Sequence, residues 1–193
     1  MNIAIDGPAG AGKSSIARKV AEALGSVYID TGAMYRAMAL YILERGIDPE
    51  DEAAVIRALP DVSIGISYEN GEQHVFLNGR DVTPGLREEN VGNTASRISR
   101  IPEVRTKLVA LQQDIARKQP VVMDGRDIGT VVLPDAECKI FLTASTAVRA
   151  DRRYLQLLVK EGKDPDRDWD PEARRLIEEE IIEIGRASCR ERV

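Results

Sequence analysis

The clearest indication of the fold of this chain is the segment Gly7-Pro8-Ala9-Gly10-Ala11-Gly12-Lys13-Ser14. It fits the pattern G-x-x-x-x-G-K-[ST], in which glycines let backbone N–H groups converge on phosphate oxygens without clashes from Cβ atoms. In this pattern the lysine reaches the β- and γ-phosphates, and the serine hydroxyl can ligate Mg²⁺. The sequence therefore predicts a phosphate-binding loop, called the phosphate loop below, in which Lys13 contacts the phosphates and Ser14 can ligate Mg²⁺.

The flanking sequence supplies the context that this motif requires. Residues 2–6 read as an apolar strand, and a helix whose apolar residues recur every four positions follows from Ser14. The positive end of that helix dipole adds to the attraction for phosphate. We therefore expect the chain from Gly7 to Ser14 to bind the phosphates of a nucleotide.

The rest of the chain alternates between strand and helix patterns. Four apolar strands are predicted near residues 2–6, 26–29, 121–124 and 138–142. This alternation is typical of an α/β fold, and it predicts a three-layer P-loop fold with a parallel sheet and helices on both faces. Ligands bind such sheets at the carboxyl ends of the strands. Within the helical stretches, Met34 to Arg45 is predicted to form a helix that ends before Gly46. Asp48 is predicted to cap a further helix that begins at Pro49.

A segment with strand and turn patterns but no helix pattern interrupts this alternation. Apolar and small polar residues alternate over residues 62–68, and a similar stretch covers 73–77. Asn70-Gly71 and Asn78-Gly79 are strong hairpin signals beside these stretches. We predict a small antiparallel β-meander, inserted in the domain at about residues 60–100.

Composition excludes several classes of protein. The 193-residue chain has a formal net charge of -5, which argues against a nucleic-acid binder. No apolar run reaches the roughly 18 residues of a membrane span, and no signal-peptide pattern is visible. No feature indicates an obligate interface. We therefore expect a cytoplasmic monomer that binds small molecules and neither nucleic acid nor membrane.

A phosphate loop alone does not separate GTPases, motor ATPases and kinases. The Asn-Lys-x-Asp motif of GTPases is absent, whereas Val121 to Asp124 imitates the apolar strand of a motor ATPase. Phosphoryl transfer depends on neutralising phosphate charge, which suits arginine. The arginines near predicted strand ends or helices are Arg36, Arg105, Arg126, Arg152 and Arg153. Their placement in an acidic chain favours a kinase, with an ATP-binding module as the alternative.

The acceptor is suggested by the scarcity of catalytic bases. His74 is the only histidine and lies in the predicted hairpin. A phosphomonoester is mostly a dianion at pH 7 and needs no strong base, so a nucleoside monophosphate fits. A kinase of another small acceptor stays open, since a sugar alcohol would need a carboxylate such as Asp30 or Asp124.

With these motifs in view, residues 2–183 resemble the bacterial cytidylate kinases, the CMP/dCMP branch of the nucleoside monophosphate kinases. The stretch from Asp124 to Thr130 is the most specific part of the resemblance. The other matching segments are Ile5 to Ser15, Asp30 to Arg36, the meander with Leu86-Arg87, Val91 to Ser96, and Pro102 to Arg105. The resemblance implies Mg²⁺-dependent transfer of the γ-phosphoryl group of ATP to CMP or dCMP.

The resemblance also implies roles for individual residues. It implies that the cytosine and sugar of CMP are bound by Thr31, Ser96 and Asp127. It implies that the phosphate of CMP is held by Arg36, Arg105 and Arg126. It implies that the chain from Gly7 to Ser15 binds ATP and that Arg152 and Arg153 belong to a lid at about residues 152–172. The implied catalytic set is Lys13, Arg126, Arg152 and Arg153, and Ser14 holds Mg²⁺ mostly through water and phosphate.

The resemblance ends at Glu183. The family continues with an Arg-Asp-x-x-Asp-x-x-Arg stretch, a fifth strand and a helix, whereas residues 184–193 match nothing in it. We interpret residues 1–183 as a single kinase domain and residues 184–193 as a non-native tail that forms neither helix end nor strand. Because an unpaired sheet edge weakens a fold, we expect this chain to be poorly stable and weakly active or inactive.

Overall fold

The computed structural model describes residues 1–69 and 72–190, with side chains to Glu183. The contacts divide the chain into two compact units. The first contains residues 1–6 and 14–140, and the second contains residues 7–13 and the chain from Phe141 onward. The phosphate loop is thus grouped with the C-terminal helices rather than with the strand that precedes it.

The helices and strands alternate along the chain as the sequence predicts. In chain order they are β1 (Ile3–Asp6), α1 (Lys13–Leu24), β2 (Val27–Asp30), α2 (Thr31–Glu44), α3 (Glu52–Ala58), β3 (Ile64–Glu69), β4 (Glu72–Leu77), β5 (Arg80–Asp81), α4 (Glu89–Ile98), α5 (Pro102–Lys118), β6 (Val121–Gly125), β7 (Cys138–Phe141), α6 (Thr146–Lys160) and α7 (Pro171–Arg190).

A four-stranded sheet in the order β2-β6-β1-β7 organises the first unit. Strand β6 runs parallel to both β1 and β2, with Ile5 and Asp30 each in register with Asp124. The carboxyl ends of these strands therefore meet at one edge of the sheet. The predicted fold class, a parallel sheet flanked by helices with a small antiparallel sheet, is confirmed.

Strand β7 forms an edge of this sheet in the described part of the chain. Its Ile140 and Phe141 are 37% and 69% exposed, although both are large apolar residues. An exposed apolar edge is a site of weak packing and unwanted pairing. This agrees with the low stability that we expect, which stays a prediction.

The inserted meander is confirmed as a three-stranded sheet in the order β3-β4-β5. Strands β3 and β4 are antiparallel, with Ser67 opposite His74. Asn78 makes the second turn with a φ of 49°, a left-handed conformation that asparagine tolerates. The first predicted turn, Asn70-Gly71, lies outside the described residues.

Helix α2 forms the centre of the core between the two sheets. It is apolar on nearly every side, and Met34, Met38 and Ile42 are completely buried. It packs against α4 and β4 and also contacts β6. A helix buried on all sides needs no polar face, which explains its sequence. The packing fixes the start of α2 at the carboxyl end of β2.

Two helix starts differ from the prediction. The cap of α3 is Asp51 and not Asp48, because the Asp51 side chain accepts a hydrogen bond from the Ala54 N–H at 2.9 Å. The Asp48 side chain accepts from the Glu50 N–H, which makes a turn before the helix. Helix α2 begins at Thr31, earlier than the apolar pattern from Met34 predicts.

The end of the last helix also differs from the prediction. Residues 184–190 continue α7 to Arg190, so the expectation of no helix in this stretch is wrong. Its alanine and arginines are good helix formers, and one glycine costs only about 1 kcal/mol. That residues 184–193 are a non-native tail stays a prediction.

Among the described residues, no helix combines the length and apolar character needed to cross a membrane.

His74 and Asp81 form a pH-dependent contact in the meander, with Nδ1 and Oδ2 2.9 Å apart. The hydrogen bond to Asp81 raises the pKa of His74, and the charges of Asp81, Glu69 and Glu72 add to this. Hydrogen bonds from Thr83 and His74 lower the pKa of Asp81 to about 2.

We expect this contact to stabilise the fold most at mildly acid pH. The histidine contribution is complete below its ordinary pKa of 6.5 and is lost as pH rises through the raised value. The aspartate contribution is lost only as pH falls from 3.8 towards 2. The difference in Tm between the native chain and His74→Gln should therefore be larger at pH 5.5 than at pH 8.5. A difference that does not change with pH would contradict this expectation.

Candidate active site

The phosphate loop, from Gly7 to Ser14, joins β1 to α1. Gly12 has a φ of +96°, which strongly favours glycine, so the last turn of the loop depends on this residue. The Lys13 Nζ donates a hydrogen bond to the Pro8 carbonyl at 3.0 Å. The Lys13 side chain therefore folds back over the phosphate loop. Ser15 is exposed in the first turn of α1.

Two arginines of α6 bind the carbonyl oxygens of the phosphate loop. Arg152 Nη1 donates to the carbonyls of Gly10 and Ala11 at 3.0 and 2.9 Å. Arg149 Nε donates to the carbonyl of Ala9 at 2.8 Å. Arg149 is absent from the predicted set, although its spacing of three residues from Arg152 places both on one helix face. These contacts bring positive charge to the loop.

Arg153 lies apart from these contacts. Its side chain is exposed on α6 and makes no hydrogen bond or ion pair with the described residues. A single helix position turns a side chain by about 100°, which separates Arg153 from the face that carries Arg152. Its predicted catalytic role stays a prediction.

The segment predicted as a lid, at about residues 152–172, is folded onto α6 through Tyr154. The Tyr154 hydroxyl accepts a hydrogen bond from the Asp170 N–H at 2.9 Å, and its ring meets Trp169 edge to face at 5.0 Å. The acidic residues of the loop satisfy its own backbone, since Asp168 Oδ2 accepts from the Asp164 N–H at 2.8 Å. These local hydrogen bonds give the acidic side chains of the loop a structural role.

Asp124 is the most buried carboxylate near the predicted site, with 4% of its surface exposed. Its Oδ2 accepts a hydrogen bond from the Ser14 hydroxyl at 2.9 Å, and its Oδ1 accepts from the Tyr28 hydroxyl at 2.9 Å. Burial raises the pKa of Tyr28, and the negative charges of Asp124 and Asp30 raise it further. Tyr28 therefore remains a donor that fixes Asp124 in place.

Ser14 and Asp124 together form a pair of hard oxygen donors, which is the chemistry that Mg²⁺ prefers. The sequence signal for Asp124 is an apolar strand that ends in aspartate, a pattern that taken alone also suits a motor ATPase. Among the described residues, no group of three or more His, Cys, Asp or Glu side chains could hold a metal ion. The pair therefore fits an ion that keeps water and substrate oxygens as its other ligands.

Asp30 organises the predicted acceptor segment at the end of β2. Its Oδ1 accepts a hydrogen bond from the Ala33 N–H at 3.0 Å and caps α2. Its Oδ2 accepts from Arg36 Nη2 at 2.8 Å. The buried Arg36 Nε has no hydrogen-bond partner among the described residues, so this guanidinium retains a donor. Thr31 is buried, and its hydroxyl donates to the Asp124 carbonyl at 2.8 Å.

Arg105 and Asp127 form a half-buried ion pair between α5 and the loop after β6. Burial lowers the pKa of the Arg105 guanidinium, but the hydrogen bond and charge of Asp127 outweigh burial, and the net shift is upward. Tyr35 lies close enough for both charges to act on its hydroxyl, whose pKa is raised mainly by burial. The structure therefore brings together two residues that the sequence places in one site.

Asp6 holds the turn that follows Asp127, and the sequence prediction missed it. Its Oδ1 and Oδ2 accept hydrogen bonds from the backbone N–H groups of Ile128 and Gly129 at 2.7 and 2.8 Å. At Gly125 an added Cβ would lie 2.6 Å from the side chains of Thr31 and Ile128. Only glycine fits this close approach, so Asp6 and Gly125 together set the path of the loop.

Two other predicted residues stand alone in the structure. Ser96 is exposed on α4, and Arg126 is exposed after β6. Neither side chain makes a hydrogen bond to the other predicted site residues within the described chain. Their predicted roles therefore depend on a bound ligand, and they stay predictions.

Comparison with known proteins gives one consistent result. The family model described as cytidylate kinase matches residues 3–170. A cytidylate kinase of Caldicellulosiruptor bescii is 52% identical over 166 residues, which cover 86% of this chain and 73% of the relative. A cytidylate kinase of Streptococcus gordonii is 54% identical over 159 residues, which cover 82% of this chain and 71% of the relative.

Proposed function

Because the chain belongs to the cytidylate kinase family, we propose that it transfers the γ-phosphoryl group of ATP to CMP or dCMP, giving ADP and CDP or dCDP. The observation that carries this proposal is the pairing of two arginines of the acceptor segments with carboxylates. Arg36 is held by Asp30, and Arg105 is held by Asp127. Guanidinium groups fixed in this way suit a phosphate acceptor, because their planar donors match phosphate oxygens.

The phosphate loop supplies the ATP side of the reaction. In the proposed reaction its backbone N–H groups cradle the phosphates, and Lys13 stabilises charge on the group that is transferred. Ser14 and Asp124 would hold the Mg²⁺ that accompanies ATP, and this ion would neutralise part of the phosphate charge. Arg152, with Arg153 in the proposed lid, adds positive charge at the phosphates.

The acceptor is activated by position rather than by a base. The phosphate of CMP is mostly a dianion at pH 7, so an oxygen can attack without losing a proton. In this proposal Arg36, Arg105 and Arg126 hold that phosphate, and Thr31, Ser96 and Asp127 bind the cytosine and sugar. The substrates are small nucleotides, and we propose that the protein acts as a cytoplasmic monomer.

Binding of CMP gives a first test of this proposal. A ligand at 100 times its Kd stabilises the folded state by about 2.7 kcal/mol, which raises Tm. We expect CMP to raise the Tm of the chain, whereas shikimate at the same concentration should leave it unchanged. A Tm that responds to ATP but not to CMP would favour the alternative, an ATP-binding module.

We expect Asp127→Asn to raise the KM for CMP by roughly 30-fold and to leave the KM for ATP within about twofold. The substitution removes the charge that holds Arg105 and one proposed contact to the nucleoside, each worth about 1 kcal/mol or more. Asp114→Asn is the matched control, because Asp114 pairs with Arg117 on the exposed side of α5. Equal effects of the two substitutions on the KM for CMP would contradict the assignment of Asp127.

A further inference from the structure

The side chain of Gln73 connects the antiparallel sheet to the backbone of Asp30. The Asp30 N–H donates to Gln73 Oε1 at 2.8 Å, and Gln73 Nε2 donates to the Asp30 carbonyl at 3.3 Å. One carboxamide therefore satisfies both backbone groups of a single residue. The sequence marks Gln73 only as the first residue of the strand pattern at 73–77, and no role for its side chain follows from the proposed function alone.

The position of β2 explains why such a contact is needed. Strand β2 lies at an edge of the four-stranded sheet, so the outer side of its backbone has no neighbouring strand in the described part of the chain. Buried or half-buried backbone groups without a partner cost free energy, and a side chain can take the place of a strand. Gln73 does this at the last residue of β2.

Asp30 is also the residue that orients Arg36. Its carboxylate caps α2 through the Ala33 N–H and accepts a hydrogen bond from Arg36 Nη2. A shift of the Asp30 backbone would move both carboxylate oxygens and would misplace the guanidinium. The contacts form a continuous series from Gln73 through Asp30 to Arg36.

The packing around Gln73 allows a displacement of the meander to reach the backbone of Asp30. Gln73 lies on β4, opposite Tyr68 of β3, and β4 packs against both β2 and α2. A movement of the meander that displaces β4 would therefore act on the Asp30 backbone through Gln73. The meander and the acceptor segment share this bidentate hydrogen-bonded contact.

We propose that Gln73 is a positioning residue for the acceptor phosphate: its carboxamide sets the backbone of Asp30, and thereby the guanidinium of Arg36. The proposal rests on the proposed function, because it takes the phosphate of CMP as the ligand of Arg36. Gln73 acts through Asp30 and Arg36 and needs no contact with the nucleotide.

Asn78 provides a matched control within the same meander. Its carboxamide accepts a hydrogen bond from the Ser63 N–H at 2.7 Å and donates to the Asp61 carbonyl at 3.0 Å. This is the same type of contact to backbone, but neither Ser63 nor Asp61 orients a predicted site residue. Asn78→Gly removes the contact and keeps a residue that adopts positive φ.

The test compares Gln73→Met, which keeps the length of the side chain without its hydrogen bonds, with Asn78→Gly. Titration calorimetry gives the Kd for CMP and for ATP, and thermal unfolding gives Tm. We expect both variants to lower Tm. Only Gln73→Met should weaken CMP binding, by roughly five- to tenfold, while the Kd for ATP stays within twofold.

A second substitution shows whether the effect passes through Arg36. In the background of Arg36→Ala, we expect Gln73→Met to change the Kd for CMP by less than twofold, since coupled residues are not additive. Gln73→Glu is a further variant that keeps the acceptor for the Asp30 N–H. It should weaken CMP binding at least as much, because its charge faces the carbonyl and carboxylate of Asp30.

Several results would overturn this proposal. They are equal losses of CMP affinity in Gln73→Met and Asn78→Gly, an unchanged affinity in Gln73→Met, or an undiminished effect without Arg36. Failure of the native chain to bind CMP would overturn both this proposal and the proposed function. If the native chain binds CMP but transfers no phosphate, only the proposed function fails, and the Kd values still decide the role of Gln73.

Discussion

Replacement of Lys13 with alanine is expected to lower kcat by roughly 10²- to 10³-fold, which is the usual effect of removing one electrostatic contact to a transition state. The Lys13 ammonium lies on the phosphate loop, 3.0 Å from the Pro8 carbonyl. In phosphoryl transfer, positioning and charge neutralisation supply most of the rate acceleration, so a fixed ammonium at the transferring group matters more than any base. Initial rates of ADP formation with CMP as acceptor measure the effect.

The matched control for this substitution is Lys19→Ala. Lys19 lies in the same helix, α1, with an exposed side chain, so it tests the loss of a positive charge from the helix. We expect this variant to keep kcat within twofold and both variants to unfold at similar temperatures. A loss of less than tenfold in Lys13→Ala would contradict the role that we assign to the phosphate loop.

Asp124→Asn is expected to lower kcat by roughly 10²-fold and to raise the Mg²⁺ concentration needed for half-maximal rate. The carboxylate oxygens of Asp124 accept hydrogen bonds from Ser14 and Tyr28, and an amide supplies one acceptor where two are needed. The substitution also removes the negative charge that, with the Ser14 hydroxyl, makes this pair attractive to Mg²⁺. A buried donor left without an acceptor costs about 1–3 kcal/mol, so stability should fall as well.

Rates measured over a series of Mg²⁺ concentrations separate the two effects of Asp124→Asn. A variant that is only less stable has a lower rate at every concentration, with the same Mg²⁺ dependence. Asp135→Asn removes an exposed carboxylate between β6 and β7 and should change neither the rate nor the dependence. An unchanged Mg²⁺ dependence in Asp124→Asn would show that Asp124 has a structural role alone.

The phosphate loop and the strands around it could be predicted because their signals are local. The spacing of the glycines, Lys13 and Ser14 defines the loop, and apolar runs define β1 and β6 to within one or two residues. Asp48 and Asp51 show the limit of such signals. Both precede acidic residues, and only the folded backbone shows that Asp51 reaches the N–H of Ala54.

The partners of the site residues could not be predicted, because they depend on strand order. Asp30 and Asp124 are far apart in the sequence, yet β2 and β6 place them side by side. The same order brings Asp6 to the turn after Asp127. The strand pattern at 73–77 includes Gln73 but does not show its contact with Asp30, because that contact exists only once the meander packs beside β2.

The proposed reaction is tested by measuring ATP consumption in the presence of Mg²⁺ and one acceptor at a time: CMP, dCMP, UMP, AMP or shikimate. Because we expect weak turnover from the 193-residue chain, the assay needs a high protein concentration and Lys13→Ala as the reference for background ATP consumption. Turnover with CMP and dCMP should clearly exceed turnover with AMP or shikimate. ATP binding with no transfer to CMP or dCMP above this background would contradict the proposed function.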